Sequence, residues 1–88
     1  MTAASVQSVI DALATLETSG NEEGMEPVAK AFSDGDEFVI QLNEMAAIHL
    51  CRLILETASK EFPGAHQHLD DVNFVDEGGG RLRIENVR

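Results

Sequence analysis

The chain is expected to fold as a single small α+β domain, with the element order α-β-β-α-β-β and the strands forming a small, mainly antiparallel sheet packed on helix. Three features of the sequence carry this expectation. Residues 43–62 contain neither Gly nor Pro, an Asp34-Gly35 pair separates two short strand-like runs, and Arg81-Leu82-Arg83-Ile84-Glu85 alternates polar with apolar side chains. At 88 residues the chain is too short for two ordinary cores, so one domain spans 1–88, with an N-terminal helix in 1–20 and a β-β-α-β-β unit in 28–88.

Val6, Val9, Ile10, Leu13 and Leu16 recur at helical spacing, with Thr2 or Ser5 placed to cap the start and Gly20 to stop it. A first helix is expected over residues 3–18. The acidic stretch 21–26, carrying Gly24, reads as a loop.

Residues 28–32 and 37–42 flank Ser33-Asp34-Gly35-Asp36, and Asp-Gly suits a type I′ turn. That turn would set Ala31 opposite Phe38 and Ala29 opposite Ile40, with Phe38, Ile40 and Leu42 on one face. A short helix opened by Pro27 competes with the first strand, because Ala29, Lys30 and Ala31 tolerate a helix.

Asn43 is placed to cap the central helix, which is expected to run to Phe62 before Pro63-Gly64. On a helical wheel His49, Arg52, Glu56, Ser59 and Lys60 make one narrow polar stripe, and Ala46, Ala47, Ile48, Leu50, Cys51, Leu53, Ile54, Leu55, Ala58 and Phe62 make a broad apolar arc. One sheet face covers about half of a helix, so a second neighbour is required, either the first helix or a second subunit. Two further strands are expected over 65–70 and 81–87, joined through Gly78-Gly79-Gly80, with Val72, Phe74 and Val75 packing near the joint.

Charge narrows the function. Sixteen acids against six bases give a net charge of −10, which repels nucleic-acid phosphates and anionic lipid surfaces. The bases are unevenly placed, since three of the six are Arg81, Arg83 and Arg88, so one end of the molecule is basic. A cytoplasmic protein is expected, because no secretory leader and no long apolar run are present and Cys51 has no second cysteine to pair with.

Sites of chemistry are sparse. His66, His68 and Asp70 fall on one face of a strand and offer three donors for zinc or iron, although two histidines on an open strand give too few fixed ligands for a closed site. No metal and no cofactor is therefore expected. Cys51, within the apolar arc, reads as a buried structural thiol. Adjacent acids such as Asp36-Glu37, Asp70-Asp71 and Asp76-Glu77 are what an acidic surface contains, and no nucleophile elbow, phosphate loop, dinucleotide fingerprint or Cys-x-x-Cys pair occurs. An enzyme is not expected.

The strand ending near Leu42, the apolar helix, the His66-Gln67-His68-Leu69-Asp70 segment and the Gly-rich turn into Arg81-Leu82-Arg83-Ile84 together resemble the immunity protein thirty-two family of bacterial polymorphic toxin systems. The resemblance covers residues 28–88 and leaves the first helix outside it. It implies a small cytoplasmic protein that protects the producing cell by binding a cognate toxin. On that reading a basic protein partner would meet an acidic surface, with Asp70, Asp71, Asp76 and Glu77 as the expected contact residues. The alternatives are a structural homo-oligomer, a homodimer in the simplest case, and a metal-binding domain using His66 and His68.

Overall fold

Local capping signals place the elements in a computed structural model, which describes residues 3–61, 64–69 and 82–86. The order is α1 (Ala3–Glu22), β1 (Ala29–Asp34), β2 (Glu37–Leu42), α2 (Glu44–Ala58), β3 (His66–Leu69) and β4 (Leu82–Glu85). The architecture is α+β, as the sequence predicts. Residues 70–81, which include the glycine joint and Val72, Phe74 and Val75, lie outside the described residues.

α1 runs past its expected end. Gly20 does not cap it but sits buried inside the helix against Met45, where a β-carbon would lie 2.3 Å from the Met45 methyl. The stop comes at Gly24, whose φ of +78° is the left-handed conformation that glycine adopts without cost. The Met25 amide donates to the Gly20 carbonyl at 2.9 Å and the Gly24 amide to Asn21 at 3.1 Å. This pair of bonds is a Schellman closure.

β1 and β2 form the expected hairpin, so the helical alternative for residues 28–32 is not taken. Its register differs from the expected one: Ala31 pairs with Ile40, Ala29 with Leu42 and Asp34 with Glu37. The two loop residues are thus Gly35 and Asp36, with Gly35 at φ +63° and Asp36 not at positive φ. That is the pattern of a type II′ turn, which asks for glycine only at its first central position. A type I′ turn over Asp34-Gly35 would force Asp34 into the left-handed region as well. The shift is by two residues, so each side chain keeps its expected face.

α2 begins as expected, with the Asn43 side chain accepting from the Ala46 amide. It ends at Ala58, earlier than expected, because the Asn86 side-chain amide takes over the carbonyls that a further turn would use, donating to Thr57 at 3.2 Å, Ala58 at 3.2 Å and Lys60 at 2.9 Å.

The strands pair as two separate antiparallel ribbons, β1-β2 and β3-β4. Asn43 ties the first ribbon to the start of α2, exchanging bonds with Val28 and holding the Glu26 carbonyl at 2.8 Å. Asn86 ties the second to the end of α2 and, through its backbone, to Gly64 and Ala65. The two anchors sit at opposite ends of a 15-residue helix, about 22 Å long at 1.5 Å per residue.

The fully buried apolar side chains among the described residues are Ile10, Ala29, Ala31, Met45, Ala46 and Ala65. Four of these six are alanines, which bring backbones close but bury little area each. Val9, Leu16, Met25, Val28, Phe38, Leu42 and Ile54 all remain more than a third exposed. No helix among the described residues is long and apolar enough to cross a membrane.

Candidate functional site

Helical periodicity gives α2 two opposed faces, and the structure places them differently from expectation. α1 lies along the polar stripe. Its Glu17 carboxylate accepts hydrogen bonds from His49 Nδ1 and from Arg52 Nε, and Arg52 Nη1 reaches Glu56 at 2.8 Å. Because a carboxylate only accepts, Nδ1 carries the proton at His49. The Glu17 side chain is 14% exposed and that of Arg52 21%. Burial pushes the Glu17 carboxyl up, but the hydrogen bonds from Arg52 and His49 outweigh it and hold the group below the usual carboxylate range. The same contact raises Arg52 against the cost of its own desolvation.

The opposite face of α2 is open. Cys51 is exposed, correcting the expectation of a buried thiol, and so are Ile54 and Ala58, with Ala47 half-buried beside them. The cause is positional: α1 covers the polar stripe and Asn86 closes on Thr57, so among the described residues the sector carrying Ala47, Cys51, Ile54 and Ala58 is left largely uncovered. Glu17 was not singled out in the sequence. Its signal was an acid on α1 facing an isolated histidine and arginine on α2, and only the helix pairing makes it visible.

His66 and His68 do share one face of β3, with ring centroids 4.9 Å apart in an edge-on arrangement. Across the ribbon they stand opposite Glu85 and Arg83, which form a loose ion pair at 3.5 Å. The Gly64 carbonyl accepts from His66 Nδ1 at 2.9 Å, fixing the proton on that nitrogen and leaving Nε2 for another partner. Among the described residues, no three His, Cys, Asp or Glu side chains converge to hold a metal. Asp70, the third expected donor, lies outside them, as do the expected contact acids Asp71, Asp76 and Glu77.

The acids that are described gather at two places. Glu22, Glu23, Glu26 and Glu44 are exposed around the junction where Asn43 binds the Glu26 carbonyl. Asp34, Asp36 and Glu37 surround the β1-β2 turn. None of the seven forms an ion pair with a base among the described residues.

One cleft, about 340 Å³ in volume, opens between the C-terminal turns of α2 and the start of β3. Leu53, Glu56, Thr57 and Lys60 recur at helical spacing along its one wall, and Gly64, Ala65, His66 and Gln67 form the other. The fold and these surfaces define a small α+β protein with an open apolar helix face, an acidic exterior and a narrow cleft. No family model matches the chain, and neither the curated proteins nor the solved structures contain a match.

Proposed function

We propose that this protein is a non-enzymatic binding module whose acidic exterior receives a basic protein partner, in the manner of an immunity protein that neutralises a toxin in the cytoplasm. The observation that supports it is the set of seven exposed acids, Glu22, Glu23, Glu26, Glu44, Asp34, Asp36 and Glu37, which form no ion pair with a base among the described residues. Unpaired surface acids raise the local negative potential, and that potential accelerates and orients the approach of a basic surface. Asp70, Asp71, Asp76 and Glu77 belong to the same proposal. The immunity reading rests on the His66 to Asp70 segment and the element order that carry the resemblance.

The test is capture of partners at low salt on the parent protein and on a variant with Glu22, Glu23, Glu26 and Glu44 changed to Lys. A basic protein held by the parent and lost by the variant is the expected result. An unchanged set of captured proteins overturns the reading.

A second reading, self-association, is favoured by the open face of α2. Ala47, Cys51, Ile54 and Ala58 follow one another at spacings of four, three and four, the seam spacing of paired helices. The order is also balanced about its centre. In an antiparallel pair, Ala47 meets Ala58 of the partner subunit and Cys51 meets Ile54 of the partner subunit, so each large side chain faces a small one. Sedimentation equilibrium distinguishes a dimer from a monomer.

A further inference from the structure

We propose that the cleft between α2 and β3 binds a small organic carboxylate, with its charge on Lys60 and its apolar body against Leu53 and Ala65. The reasoning starts from charge. In a chain of net charge −10, an anion is repelled from most of the surface. Within the cleft the one acid among the described lining residues, Glu56, is engaged by Arg52 Nη1 at 2.8 Å. Lys60, by contrast, pairs with no acid among the described residues. The cleft therefore presents an ammonium without an ion-pair partner among the described residues.

The backbone reinforces this cation's position. Asn86 Nδ2 donates to the Lys60 carbonyl at 2.9 Å, so the residue is fixed at the cleft although it lies beyond the end of the helix. The rest of the lining is mixed in the way a small-ligand site is: Leu53 and Ala65 are apolar, and Thr57, His66 and Gln67 are polar. A volume of about 340 Å³ holds roughly ten ligand atoms at about 30 Å³ each. A nucleotide or a longer peptide would extend well beyond it. A carboxylate on a compact apolar body satisfies both the cation and the wall.

Benzoate is a suitable probe, titrated into the isotope-labelled full chain while backbone amide resonances are followed. Saturable shifts confined to residues 57–60 and 64–67 are expected, weakened at least about tenfold, or about 1.4 kcal/mol, when benzamide replaces benzoate or when the protein carries Lys60→Met. Lys60 is exposed, so its replacement leaves the fold intact, and the benzamide comparison is independent of any variant. Three results overturn the proposal: no saturation, equal binding of benzamide, or displacement of benzoate by an equal concentration of inorganic phosphate, which has the charge but no apolar body.

Discussion

The side-chain amide of Asn86 donates to the carbonyl of Thr57 at 3.2 Å, and both residues are only 6% exposed. The last described residue of the chain thereby closes the end of the central helix. Asn86 also reaches the carbonyls of Ala58 and Lys60, so one amide is shared among three carbonyls at and just beyond the end of α2, of which Thr57 also accepts from the Lys60 amide at 3.3 Å. Asn86→Ala is expected to cost about 1–3 kcal/mol in urea unfolding, the penalty for stranding buried acceptors. Asn86→Asp should be at least as damaging, since it points a carboxylate at those oxygens. A neutral outcome for both would mean that water closes the helix equally well.

Gly20 and Met45 make a paired prediction. In the parent, Gly20→Ala places a methyl where the Met45 thioether lies, and the overpacking should destabilise by about 1 kcal/mol or more despite the gain in helix propensity. In a Met45→Ala background the obstacle is gone, and the same change should stabilise by up to about 1 kcal/mol. The reversal of sign in thermal or urea unfolding is the observation to seek.

Glu17 sets a dependence on acidity. Its carboxyl is held below its ordinary range in the folded protein, so the folded state binds fewer protons there than the unfolded state does. The stability it contributes is complete above the unfolded carboxylate range and is lost as pH falls through the lower folded value. Glu17→Gln should cost about 1–2 kcal/mol at pH 7, in line with the loss of charged hydrogen bonds. The gap between variant and parent should close toward pH 3. A gap of constant size across that range would show that the contact is not ionic.

Ile54 and Ala46 separate the two faces of α2. Ala46 is fully buried and Ile54 is 41% exposed, so Ala46→Asp should abolish folding by burying an unpaired charge. Ile54→Asp should change the stability of the monomer by no more than about 1 kcal/mol. It should also dissociate any dimer formed through this face, measured by sedimentation equilibrium. An Ile54→Asp protein that remained dimeric would place the subunit contact elsewhere.

Much of the fold is legible in the sequence because its signals are local. The Asn43 cap, the periodicity of both helices and the hairpin around Gly35 each depend on residues within a few positions of one another. Even the two-residue change in register preserved the facing of Ala29 and Ala31, since strand side chains alternate with a period of two. Gly20 and Gly24 show the limit. Either can end a helix on local grounds, and the choice was made by Met45, 25 positions beyond Gly20 in the chain, which needs the space that Gly20 leaves.

The candidate sites were less legible for the same reason. The sequence by itself determined the net charge, the class of fold, the shared face of His66 and His68, and the fact that α2 carries more apolar surface than a ribbon can cover. Only the tertiary structure decided which side of α2 stayed open, that Glu17 joins His49 and Arg52, and that Lys60 stands beside His66 in a cleft. Periodicity fixes which residues share a face, but the neighbour each face receives depends on contacts between residues distant in sequence. α1 lies on the polar stripe, where the Glu17 carboxylate accepts hydrogen bonds from both His49 and Arg52, and the apolar sector stays exposed among the described residues.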